Sequence, residues 1–195
     1  MSTQRKPTYT PEEYLDLERA AAYKSEFVNG EIFAMAGASP QHVLIVSNLV
    51  RELGVALKEG PCLVFSTDLK VRVRSEGPYF YPDVVVVCEE PRFVGPYGDT
   101  LENPQLLIEV LSPTTQDYDR GGKFEQYRTI SSFVEYLLVA QDRIHIEHHV
   151  READGAWRMT ETNDVNGQVT LQLVPVTLLV REIYARIMVE GKTND

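Results

Sequence analysis

A chain of 195 residues, 43% of them hydrophobic, is long enough for one sizeable core and short for two. Its formal net charge of −10 argues against a surface that grips nucleic-acid phosphates everywhere, and leaves another substrate or a local basic cleft on an acidic body. No apolar run is long enough to cross a bilayer and the polar start MSTQRKPTYTPEE lacks the apolar stretch of a signal peptide, so one cytoplasmic domain over residues 1–195 is expected.

In chain order, the first element is signposted by Thr10-Pro11-Glu12-Glu13. The threonine can cap, the proline fits the first turn and Glu13 completes a capping box, predicting a short helix to about Ala22. Asn29-Gly30 between the alternating runs of SEFVNGEIFAM predicts a hairpin. Ser39-Pro40 opens a second helix, whose apolar positions Val43, Val46, Leu49, Val50, Leu53 and Leu57 keep helical spacing until Gly60. Strands are predicted near 62–66, 69–74, 83–88 and 105–111, the last carrying LLIEVL, a run suited to a strand covered on both faces. PRFVGPYGDTLENP at 91–104 reads as a loop. KFEQYRTI reads as a helix by the spacing of Phe124, Tyr127 and Ile130, followed by strands at EYLLVA and IHIEHHV, two further strands, and a C-terminal helix near 178–189. The order predicts an α/β or α+β chain with a mixed sheet between helices.

Two acids stand out. Asp83 precedes four consecutive valines, and Glu109 is the one polar residue of LLIEVL. A lone carboxylate in an apolar strand carries a large desolvation penalty unless it has a partner. Two such acids on neighbouring strands can share a divalent cation, and Lys123, opening the following helix, can orient and help deprotonate a water. Asp119, Gln126 and Tyr127 lie within one turn of that lysine. Cys62 and Cys88 sit in apolar runs without CxxC spacing and read as two reduced structural thiols. His145, Glu147 and His149 alternate on one strand face like a metal triad, but their alternation with Ile144 and Ile146 is accounted for by a solvated strand face. Arg72 and Arg74 read as a polar sheet face in the same way.

Tyr81-Pro82-Asp83, then Glu109-Val110-Leu111-Ser112-Pro113, then the Asp119…Lys123-Phe124…Tyr127 helix and Glu135-Tyr136-Leu137-Leu138-Val139 resemble the Uma-two type of restriction-endonuclease-like proteins, within the PD-(D/E)XK nuclease superfamily. The resemblance runs from about Thr10 to the C-terminal helix. It implies a restriction-endonuclease-like core and a metal-dependent endonuclease acting on nucleic acid, DNA by preference, as a homodimer. Residue by residue, it implies that Asp83 and Glu109 ligate Mg²⁺ or Mn²⁺ with the Val110 carbonyl, that Lys123 is the catalytic lysine, and that Glu26 and His42 face the metal cleft. The superfamily's lysine normally lies two residues after the second acid, where this chain has Leu111. That departure, together with the net charge, keeps two alternatives open: a catalytically silent binding module on the nuclease fold, and a metal-dependent hydrolase of a small phosphorylated ligand.

Overall fold

A computed structural model describes residues 7–188. The predicted helix start holds: α1 (Pro11–Ala20) is capped by Thr10, whose Oγ1 accepts from the Glu13 N–H at 3.2 Å while Glu13 Oε2 accepts from the Thr10 N–H at 2.8 Å. The hairpin holds too. Asn29 and Gly30 both take positive φ, 51° and 83°, the backbone that a two-residue turn of the favoured hand requires between β1 (Ser25–Val28) and β2 (Glu31–Ala34). In α2 (Pro40–Leu57) the Ser39 hydroxyl caps by accepting from the His42 N–H at 3.1 Å.

Two six-stranded sheets follow where the sequence led us to expect one. The central sheet has the order β12-β11-β10-β9-β6-β3, formed by β3 (Leu63–Ser66), β6 (Val84–Val87), β9 (Leu106–Leu111), β10 (Glu135–Ala140), β11 (Ile146–Arg151) and β12 (Trp157–Thr162). Only β9 and β10 run parallel in it. The second sheet, β2-β1-β5-β4-β8-β7, adds β4 (Lys70–Arg72), β5 (Tyr79–Phe80), β7 (Phe93–Val94) and β8 (Thr100–Leu101). Of these, β7 and β8 lie inside the segment read from sequence as a loop.

The alternation of the central strands explains both cores. Val84, Val86, Leu106, Ile108, Val110, Leu137 and Val139 point to α2 and to the C-terminal segment. That segment carries the small β13 (Gln168–Thr170) and β14 (Thr177–Leu179) pair. Val85, Val87, Leu107, Leu111, Tyr136 and Leu138 point the other way, to Val71, Phe80 and Leu101 of the second sheet and to the helical segment that supplies Phe124 and Tyr127. The expected C-terminal helix is shortened to α5 (Val180–Ile183), because Thr177, Leu178 and Leu179 are taken into β14. At its other end residues 184–188 leave the helix in a turn with Arg186 at φ 62°, and of the predicted span only residue 189 lies outside the described residues. Buried Asn48 in α2 donates through Nδ2 to the carbonyls of Ile183 (3.0 Å) and Ala185 (3.1 Å) and so ties this end of the chain to the helix.

Cys62 and Cys88 are not free thiols but a disulfide. β3 and β6 pair antiparallel with Leu63 opposite Val87, so the next rung sets Cys62 directly opposite Cys88. Neither cysteine's local spacing could reveal this, since the pairing depends on the register between strands. Among the described residues no helix is long and apolar enough to cross a membrane.

Candidate functional site

The register of β6 against β9 locates the two acids. Val84 lies opposite Ile108, so one step further along both strands Asp83 faces Glu109, with both side chains on one face of the central sheet. On that face the chain after β9 crosses in α3 (Gln116–Tyr118), a π-helical turn (Asp119–Lys123) and α4 (Phe124–Tyr127). The helical path thus starts before the span predicted from KFEQYRTI. Lys123 lies within it and not in its first turn.

This crossing places Lys123 among three carboxylates. Its Nζ is 3.0 Å from Glu26 Oε1, 3.0 Å from Glu109 Oε1 and 3.7 Å from Asp119 Oδ1, and 5.4 Å from the centre of the Phe80 ring. The lysine and Glu109 side chains are each only 6% exposed. Glu109 Oε1 also accepts from the buried Tyr127 hydroxyl at 3.0 Å, and Glu26 Oε1 accepts from the Tyr81 N–H at 3.2 Å. Asp83 is held from two sides: Oδ1 lies 2.9 Å from His42 Nε2, and Oδ2 accepts from the Val110 N–H at 2.8 Å. Val110, whose carbonyl the resemblance offered as a ligand, therefore enters the cluster through its N–H.

Glu26, His42, Asp83, Glu109, Asp119, Lys123 and Tyr127 converge: β1 supplies Glu26, the N-terminus of α2 supplies His42, and the central strands and the helical crossing supply the rest. Gln126 does not join them. It turns outward and accepts from Arg74 at 2.6 Å, while Arg72 pairs with Glu102 at 2.7 Å. Leu111 lies two residues beyond Glu109 on the same strand face but is buried in the core.

Burial sets the electrostatics. It pushes the Glu109 carboxyl well above the ordinary range; Lys123 opposes this, and Asp119, Asp83 and Glu26 reinforce it. Burial acts the other way on Lys123, but Glu109, Glu26 and Asp119 outweigh it and raise the pKa, so the ammonium stays charged. Asp119 is also raised, by burial first, against the pull of Lys123 and a hydrogen bond from Thr115. Four carboxylates thus share one permanent cation and one imidazole.

Oxygen donors of this kind suit a hard cation. Mg²⁺ is commonly bound through one or two carboxylates, with water and phosphate oxygens completing the shell. Among the described residues no three His, Cys, Asp or Glu side chains converge as a ready metal cage. A cation between Asp83 and Glu109 would therefore take two carboxylates from the protein, and the donor set fits that pattern.

The triad of β11 is not a solvated face. Glu147 lies in the same cross-strand row as Glu109, through Leu138, and is covered by the helical crossing. Arg120 Nε donates to its Oε1 at 2.6 Å, His145 Nε2 lies 3.2 Å from the same oxygen, and Phe124 packs on the His149 ring. His149 Nε2, 3.6 Å from Glu147 Oε2, is buried without a hydrogen-bond partner. No spacing in the sequence pointed to Arg120 as the residue that closes over this face.

Comparison with known proteins adds independent findings. A family model, Uma2, described as "Putative restriction endonuclease", matches residues 11–181. Two uncharacterized proteins of Synechocystis sp. (strain ATCC 27184 / PCC 6803 / Kazusa) are similar along most of their length. One is 36% identical over 86% of this chain and 94% of its own, the other 34% identical over 91% and 92%. A crystal structure described as a "putative nuclease belonging to DUF820" from Anabaena variabilis ATCC 29413 superposes with a TM-score of 0.75 at 16% identity, covering 92% of this chain and 99% of that one.

Proposed function

The chain belongs to the Uma2 family of restriction-endonuclease-like proteins, and on that premise we propose that it is a Mg²⁺- or Mn²⁺-dependent endonuclease that hydrolyses phosphodiester bonds in DNA. The observation that carries this reading is the convergence of Asp83, Glu109, Glu26 and Asp119 on one face, where among the described residues Lys123 is the one permanent cation and His42 meets Asp83. A divalent ion relieves that excess of negative charge, and when bound it supplies Lewis acidity at the phosphate and a more acidic water. Asp83 and Glu109 would hold it. Tyr127 and the Val110 N–H fix the orientation of those two carboxylates. Lys123, charged and buried, would orient the attacking water and stabilise charge developing on the phosphate oxygens. His42, on the outer oxygen of Asp83, positions that carboxylate and can move a proton at the cleft's edge.

A second reading, a silent binding module on the same fold, is favoured by one observation: the superfamily's usual lysine position holds Leu111, packed into the core. One experiment separates the two. Titration calorimetry with Mn²⁺ is run on the wild type, Asp83→Asn and Glu109→Gln, alongside cleavage of single-stranded and duplex DNA. The nuclease reading expects binding and cleavage in the wild type and loss of both in each variant, with the fold intact by circular dichroism. Undiminished Mn²⁺ binding in either variant removes that residue as a ligand, and wild-type protein that binds Mn²⁺ but cuts nothing favours the silent module.

A further inference from the structure

We propose that Phe33 and Tyr118 form a base-stacking rim at the mouth of the carboxylate cluster, so that the substrate is single-stranded DNA. This rests on the nuclease reading above and names its substrate class. Both rings are exposed, Phe33 by 48% and Tyr118 by 41%, in a molecule whose other large aromatics mostly fill its cores. Neither position is accidental with respect to the cluster. Phe33 is the cross-strand partner of Glu26 in the β1–β2 hairpin, and directly paired residues of antiparallel strands project from the same face. Phe33 therefore stands beside the acid that holds Lys123. Tyr118 immediately precedes Asp119, the third carboxylate on that lysine, and its hydroxyl is pushed up by burial first and then by Glu26, more than by any other charge.

Tyr118 is also held in place by a neighbour that can be nothing larger. One edge of its ring abuts Gly122, where a Cβ would meet ring carbons at 2.9 and 3.2 Å. With that edge held and the residue 41% exposed, the ring keeps a fixed tilt at the surface, as a stacking platform needs.

The charge of the surroundings selects what can rest there. Glu26 and Asp119 flank the rim and repel phosphate, whereas the face of a nucleobase is flat and uncharged. Duplex DNA presents one negative charge per about 1.7 Å of axis and a single strand about one per 3.4 Å, so an acidic protein of net charge −10 meets far less repulsion from a single strand. A single strand also offers unpaired bases, whose stacking on aromatic side chains supplies affinity that electrostatics here cannot.

Fluorescence anisotropy tests this with the full chain, a labelled oligodeoxythymidylate and its duplex with oligodeoxyadenylate, in Ca²⁺, with the DNA checked for integrity after each titration. The wild type is expected to bind the single strand more tightly than the duplex. Tyr118→Ala and Phe33→Ala should each weaken single-strand binding by roughly 5- to 150-fold and leave duplex binding unchanged. Tyr118→Phe, which keeps the ring, should bind as the wild type, and Gly122→Ala, which displaces the ring, should weaken binding. Single-strand affinity unchanged in both alanine variants, or lost equally for single strand and duplex, would overturn the rim while leaving the nuclease reading standing. Wild-type protein that binds neither DNA in Ca²⁺ and cuts neither in Mg²⁺ or Mn²⁺ would overturn the nuclease reading and the rim with it.

Discussion

Replacing Lys123 by methionine keeps a long apolar stem over Phe80 and removes one charge from the centre of the cluster. Three carboxylates then lose their cation: Glu109 and Glu26, each 3.0 Å from the ammonium, and Asp119 at 3.7 Å, with side chains between 6% and 13% exposed. Removing one partner of a buried ion pair typically costs about 3–5 kcal/mol, because the other charge stays buried without compensation. At about 2–4 °C per kcal/mol for a chain of this size, Tm should fall by about 6–20 °C. The sign of the pH dependence follows from Glu109. Its carboxyl is already raised in the folded state by burial, and without Lys123 the charge that opposes this is gone. A group raised above its unfolded value adds stability below that value and loses it as pH rises through the folded one. The deficit of Lys123→Met should therefore be largest at neutral and alkaline pH and should narrow on acidification. Differential scanning calorimetry across that range measures both. A Tm within about 2 °C of wild type at neutral pH, or a deficit that grows on acidification, would refute the electrostatic account of the cluster.

Three further outcomes are expected. Burial would push the Glu147 carboxyl up, but the polar contacts of His149, Arg120 and His145 overcome it and hold it at about 2. Its folded pKa is depressed, so wild type should exceed Glu147→Gln in stability by at most about 3 kcal/mol above pH 5, and that margin should vanish as pH falls toward 2; a margin that does not change on acid titration would contradict it. Protein purified and denatured without reductant should show no free thiol to Ellman's reagent, because Cys62 and Cys88 are paired, and two thiols per chain would restore the reduced pair expected of a cytoplasmic protein. Sedimentation equilibrium at micromolar concentration should give the mass of a homodimer, which would set two clefts on one substrate; a monomer mass would end that part of the reading.

What the sequence made legible were features written within a few consecutive residues. The capping box at Thr10, the Asn29-Gly30 turn and the Ser39 cap each depend on neighbours in the chain, and each formed where expected. The covered strand LLIEVL and its lone acid were legible for the same reason, since burial on both faces leaves an apolar run. What stayed hidden depends on distant pairing. β5, β7 and β8 are two residues each, too short to show alternation, and they exist because the second sheet binds them. The disulfide needed the β3–β6 register, and the burial of Glu147 needed the helical crossing to bring Arg120 over it. That Asp83 and Glu109 stand on one face was expected on the strength of the resemblance; the cross-strand register gives the geometric reason.

The tie between Asn48 and the carbonyls of Ile183 and Ala185 makes the far end of the chain a mechanical part of α2, the helix whose first turn carries His42. Tyr184 strengthens the splice by donating its hydroxyl to the Ala140 carbonyl at 2.9 Å, at the end of β10, and Ile187 closes the same apolar layer. For anyone trimming or tagging this protein, the useful boundary lies after Ile187. A cut made earlier, at the end of β14, would leave an amide and a hydrophobic groove open along α2 and loosen the helix whose first turn steadies Asp83 through His42.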